Sequence, residues 1–329
     1  MKEAVFLQEV KEIQLLKNAL TLLDWDSSTG MPEKSSPFRG EVEGYLTGLY
    51  FERSIGPVIQ EALAYFETRP EELSELGKLV FEKVKEEYAL NKNVPAERMQ
   101  EYVKVLNQAH TDWLKARAAQ DFGLLEETLT KVVAFQKEFI PYWQKEEKTP
   151  YDVLLNQFEP GMTVEKLDQV FDQVKQGIQE IRTVLAEKGT PPRTDFLSRK
   201  MTKEQQRRFV IGVVEQLGYD FSKGRLDDTV HPFMTALNRN DARITTRWEE
   251  NNFSMATFGV IHEAGHGMYE QNFDPKFDFT PLSEGASMGI HESQSLFNEI
   301  IIGSNRAFWQ KQYPFFQECA EGTFDDIAF

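Results

Sequence analysis

Apolar residues recur at three- and four-residue intervals along most of this chain, and that repeat confines the fold to packed helices. In the first segment Val5/Phe6, Val10, Ile13, Leu16/Leu20 and Leu23 fall on one helical face. Comparable patterns run through 38–67, 71–91, 96–121, 124–147, 163–188 and 203–217. Boundary residues agree with them. Ser36-Pro37 and Pro70 before Glu71-Glu72 read as helix starts, and Thr202 with Gln205 fits a capping box. Gly189 and Gly218 stand where helices should stop, and Pro141 should kink or end its own. The polar stretches 24–36 and 189–195 read as loops, the second a candidate hinge. Only 241–250, DARITTRWEE, departs from the repeat. Its Ile244, Thr245, Thr246 and Trp248 favour a short strand, one that could pair with an extended peptide. The expected fold is mostly α, one large helical domain with a small β element near 241–250.

Charge and cysteine content narrow the function classes. With 37 Lys+Arg against 53 Asp+Glu the formal net charge is −16, and no dense basic run offsets it. Phosphate backbones repel such a chain, so nucleic-acid binding is excluded. The 25 Phe and 40% hydrophobic content supply a core and exclude wholesale disorder. One cysteine, Cys319, excludes an intramolecular disulfide framework and a Cys-rich metal cluster. The N-terminus carries a charge every few residues and lacks a signal-peptide core, and no apolar run reaches membrane-spanning length. A cytoplasmic protein with no membrane partner is expected.

The chemistry gathers late in the chain. Of the five histidines, His231, His262, His266 and His291 lie between 231 and 291, while His110 stands apart. His262-Glu263-Ala264-Gly265-His266 is an H-E-x-x-H match inside a helical pattern. Two imidazoles four residues apart on a helix can reach one ion, and Glu263 can then take a proton from a metal-bound water. Gly265 and Gly267 each cost roughly 1 kcal/mol in a helix interior, a cost understandable if something must approach closely there. Apolar neighbours place the histidines at the base of a buried cleft. A catalytic zinc commonly takes three protein ligands. The extended pattern with a glycine at 269 and a histidine at 272 is excluded, because the chain has Tyr269 and Asn272. Candidates for the third ligand are Glu270, Glu284, His291 and Glu292. Glu270 lies on the same helix and points progressively away. Residues 284–302 read as a second helix that could bring a carboxylate alongside. Spacing alone leaves His291 and Glu292 open, with either able to be the orienting partner of the other.

These pieces resemble a known family. Trp25-Asp26, Thr29-Gly30-Met31-Pro32, Arg39-Gly40, His231-Pro232-Phe233, Asp241-Ala242-Arg243-Ile244-Thr245, His262 to His266 and His291-Glu292-Ser293-Gln294 follow in the order and spacing of the carboxypeptidase Taq metallocarboxypeptidases. The resemblance runs from about residue 6 onward. It implies zinc held by His262, His266 and Glu292, with Glu263 as general base; cobalt suits the same ligand set. It also implies peptide substrates, a homodimer, and substrate-facing roles for His231 and Arg243. The chain then divides into an N-terminal helical part, 1–190, and a metal-site part, 191–329. Two motifs that the family carries beyond the H-E-S-Q helix do not occur, so the C-terminal third of the family fold is expected to be absent. The expected activity is hydrolysis of the C-terminal peptide bond. The alternative is a truncated, catalytically impaired metal-binding fragment acting as a structural or oligomerising module.

Overall fold

The computed structural model describes residues 1–329, the side chain of Glu33 excepted. The fold is mostly helical with one small sheet, as the periodicity predicts. The chain forms two compact units. One comprises Met1–Leu154 and Asp274–Glu284, the other Leu155–Phe273 and Gly285–Phe329.

The first unit contains α1 (Glu3–Thr29), α2 (Ser36–Ser54), α3 (Pro57–Phe66), α4 (Glu75–Asn91), α5 (Ala96–Ala119) and α6 (Gly123–Trp143). Phe6, Val10 and Ile13 of α1 pack with Ile59, Ala62 and Phe66 of α3 and with Val80, Phe81 and Val84 of α4. Each large apolar side chain buried there contributes roughly 1.5–3 kcal/mol. A second cluster forms around Phe135, Phe139, Ile140 and Trp143 of α6. Pro141 sits in the last turn of that helix, which ends two residues later.

The stretch expected as a loop at 24–36 is largely helical, because α1 continues to Thr29 and Glu33–Ser35 form a 3-10 turn. Its polar side chains are satisfied by α2 and by the helix itself. Arg39 of α2 donates to Asp26 Oδ2 at 2.5 Å and to the Leu23 carbonyl at 2.9 Å, and the Thr29 hydroxyl returns to the Trp25 carbonyl at 2.7 Å. Tertiary contacts overrule the local preference of these residues for turns.

The second unit holds α8 (Val164–Lys188), which follows α7 (Pro150–Phe158), then α9 (Lys203–Leu217), β1 (Leu226–Asp228), β2 (Met234–Asn238), β3 (Asp241–Thr246), α10 (Phe253–Gln271), α11 (Met288–Leu296) and α12 (Arg306–Ala320). The expected capping box opens α9: the Gln205 amide donates to Thr202 Oγ1, and the Thr202 amide donates to the Gln205 side chain at 2.8 Å. Gly218 closes that helix at φ +113°, a left-handed conformation that favours glycine. The core joins Phe209, Val210, Val213 and Val214 of α9 to Ile244 of β3, Val260, Ile261 and Ala264 of α10, and Phe316, Cys319 and Ala320 of α12.

The strand expected at 241–250 is β3, and it has two partners that the periodicity did not reveal. It pairs in parallel with β1 (Leu226 opposite Ile244) and antiparallel with β2 (Met234 opposite Ile244). As the middle strand it has both edges filled. It therefore cannot take up an extended peptide, which corrects that expectation. Its buried residues Ala242, Ile244, Thr245 and Thr246 make it instead the bed on which α10 lies.

Candidate metal centre

Helix α10 buries Ala256, Val260, Ile261, Ala264 and Gly267. His262 and His266, one turn apart, are left on the side met by α11. The two glycines explain how the helices come so close. A Cβ at 265 would lie 2.7 Å from both the Gln294 carbonyl oxygen and Ser295 Cα, so only glycine admits the backbone of α11. A Cβ at 267 would meet the Tyr219 ring at 2.7 Å. The close approach inferred from these glycines is made by protein elements.

Glu292 of α11 lies over both histidines. Its Oε2 is 3.7 Å from His262 Nε2 and 3.3 Å from His266 Nε2. One donor atom from each residue can be chosen so that all lie within 4.8 Å of one another. A tetrahedral ion with bonds of 2.0–2.2 Å needs ligand atoms about 3.4 Å apart, so two imidazoles and a carboxylate at these separations fit a divalent cation. Ser295, fully buried, donates its hydroxyl to the Glu292 carbonyl at 2.7 Å, which also places it 3.2 Å from Glu292 Oε2. The side chains of His262, His266 and Glu292 are 22%, 15% and 49% exposed. The site is thus half-buried and open on the Glu292 side, rather than the base of a closed cleft.

The opposite ring nitrogens are also held. His262 Nδ1 is 2.7 Å from Glu299 Oε2. His266 Nδ1 is 2.5 Å from His291 Nδ1, and His291 Nε2 is 2.9 Å from Glu270 Oε1. Glu299 belongs to a π-helical stretch, Phe297–Gly303, that continues α11. Such turns are rare and recur at functional sites.

Burial shapes the site's ionisation. It pushes the Glu263 carboxyl up to about 7, with the negative charges of Glu292 and Glu299 acting in the same direction and His262 opposing. Among the described residues no side chain hydrogen-bonds that carboxyl, which leaves it available. Burial, reinforced by the neighbouring His291 and His262, pushes His266 down to about 4, so its imidazole is neutral at ordinary pH.

Most of the expected residues therefore meet. His262, Glu263, His266 and Glu292 come together. His291 and Glu270, the other candidates for the third ligand, pair with each other behind His266. Glu284 lies elsewhere, in the first unit, where Lys17 donates to it at 2.5 Å. His231 is exposed on the bend between β1 and β2. Arg243 sits on β3 and is gripped at 2.8 Å through two nitrogens by Asp241, its neighbour on the same side of the strand. Glu299 was missed, although its position seven residues after Glu292 is a signal that it shares that helix face.

The family model for carboxypeptidase Taq (M32) metallopeptidases matches residues 5–329. Carboxypeptidase 1 of Bacillus subtilis is 43% identical over 326 residues, which cover 99% of this chain and 65% of that protein. Thermostable carboxypeptidase 1 of Thermus thermophilus is 32% identical, covering 92% and 62% respectively. The crystal structure of an M32 carboxypeptidase from Deinococcus radiodurans superposes with a TM-score of 0.88 at 32% identity, over 98% of this chain and 64% of that one. The chain thus spans less than two-thirds of the length of the relatives it matches.

Proposed function

The chain belongs to the carboxypeptidase Taq (M32) metallopeptidase family, and we propose that it acts as a metal-dependent carboxypeptidase, removing single residues from peptide C-termini. The observation that carries this reading is the convergence of His262 Nε2, His266 Nε2 and Glu292 Oε2 beside the buried Glu263. In the proposal these three hold zinc, with cobalt equally suited to the donor set. The bound ion supplies Lewis acidity to the scissile carbonyl and to a water. Everything else falls to the protein. Glu263, with a carboxyl that titrates near neutrality, takes the proton of the attacking water and returns it to the leaving amine. His266 stays neutral. His231, exposed beside β2, and Arg243, paired with Asp241, are the two proposed substrate-contacting residues. A homodimer is part of the proposal. So is a cytoplasmic location, which the single buried cysteine suits; no helix is long and apolar enough to cross a membrane.

The test is release of the C-terminal amino acid from a blocked dipeptide with added zinc or cobalt, alongside metal stoichiometry. Glu263→Gln should lose at least 100-fold in turnover and keep its metal, as removal of a general base predicts. Full turnover in that variant would end the assignment. Metal binding by the unaltered chain without amino-acid release would favour the metal-binding module instead.

A further inference from the structure

His262 and His266 are backed by different groups, and only one of these dictates its histidine's proton directly. A neutral imidazole carries one N–H, and a ligating histidine must present the other nitrogen as a lone pair. Behind His262 stands the Glu299 carboxylate, which can only accept. Nδ1 therefore donates and Nε2 is bare toward Glu292. Behind His266 stands another imidazole. The two Nδ1 atoms, 2.5 Å apart, share one proton, and the pair by itself permits either direction. In one direction His266 Nε2 is a lone pair. In the other it carries the proton and points it at Glu292, where it could not bind a cation.

Glu270 removes the ambiguity. Its carboxylate accepts from His291 Nε2 at 2.9 Å, so that nitrogen holds the His291 proton and His291 Nδ1 becomes the acceptor. His266 Nδ1 must then be the donor. We propose that Glu270 is a positioning residue acting through His291: it fixes the His266 tautomer and so prepares a donor it does not touch. Glu270 is 5% exposed. A carboxylate kept so deep needs a hydrogen-bonded partner, and His291 provides it. Glu270 and His266 lie one turn apart on α10, and His291 of α11 bridges them.

This inference rests on the metal-site reading above, and the experiment separates the two. The full chain, labelled with 15N-histidine and free of metal, is examined by long-range 1H–15N correlation, which distinguishes Nδ1–H from Nε2–H tautomers. Cobalt(II) is then titrated by its visible absorption. In the unaltered chain His266 should be the Nδ1–H tautomer. Glu270→Gln, whose amide can donate or accept, should populate the Nε2–H form of His266, leave the His262 tautomer unchanged, and weaken cobalt binding 10- to 100-fold, the usual cost of losing such a partner. Glu270→Asp, acceptor-only, should restore the tautomer at least in part. An Nε2–H His266 in the unaltered chain overturns the proposal, and that reading requires no variant to fold. A Glu270→Gln chain with unchanged tautomer and unchanged cobalt affinity overturns it too and leaves the metal site standing. A predicted tautomer shift in a chain that binds no cobalt supports the relay and removes the metal reading instead.

Discussion

Replacing Gly265 with alanine tests whether the metal centre depends on the closeness of α10 and α11. The added methyl would sit 2.7 Å from the Gln294 carbonyl oxygen and from Ser295 Cα, and 3.1 Å from Asn298 Nδ2. Ordinary contact begins at 3.4 Å, and two of these three atoms are helix backbone, so the helices must part by most of an ångström. Overpacking of this kind costs about 1–3 kcal/mol, while alanine regains about 1 kcal/mol of helix propensity, for a net loss of roughly 0–2 kcal/mol. The larger effect falls on the site. Glu292 stands 3.3 and 3.7 Å from the two Nε2 atoms, and moving α11 outward by that amount takes the first past the ligand spacing of about 3.4 Å and the second, already slightly long, well past it. Cobalt affinity should drop at least tenfold. Gly259 on the same helix is the control, since a Cβ there finds only Thr246 Oγ1 at 4.0 Å. Gly259→Ala should gain up to about 1 kcal/mol and leave cobalt binding unchanged. Urea unfolding and cobalt titration of the two variants read both effects. Gly265→Ala that is as stable as Gly259→Ala and binds cobalt like the unaltered chain would refute the reasoning.

Two further outcomes follow from buried polar groups. Glu263 binds its proton up to about 7 in the folded chain and to about 4.5 when unfolded, so its contribution is fully present below 4.5 and is lost as pH rises toward 7. His266, lowered to about 4 from 6.5, works oppositely, its charging reducing stability as pH falls from 6.5 to 4. The two slopes offset between 4.5 and 6.5. The stability of metal-free Glu263→Gln relative to the unaltered chain should therefore rise by up to about 3 kcal/mol between pH 4.5 and 7, measured by urea midpoints; a pH-independent difference would contradict it. Tyr219, 2% exposed, donates from its hydroxyl to the Ala242 carbonyl at 2.6 Å, so Tyr219→Phe strands a buried acceptor. That should cost about 1–3 kcal/mol in the same assay, and a neutral substitution would show that water satisfies the carbonyl.

What the sequence made legible depended on whether a feature lives within one element or between two. The amphipathic repeats located most of the helices, because burial on one face is a local pattern. The pair His262 and His266, one turn apart, was legible for the same reason, and so was Glu263 beside them. The loop expected at 24–36 was misread because Arg39, more than ten residues on, satisfies its polar groups. The two strands flanking β3 are three and five residues long, too short to show a period of two.

The outer partners of the histidines depended on something the periodicity could not supply, the direction and register of α11 against α10. Once Gly265 is set against Ser295 with the helices antiparallel, the remaining contacts follow from counting to within a residue. Glu270 and His262 are eight residues apart on α10, and His291 and Glu299 are eight apart on the facing element, about 12 Å in each case. The ends of the two intervals therefore meet, Glu270 with His291 and His262 with Glu299, as the structure shows. The equal spacing was present in the sequence throughout. It carries no meaning until a single contact fixes the register, and the close pass of the α11 backbone over Gly265 is what fixes it.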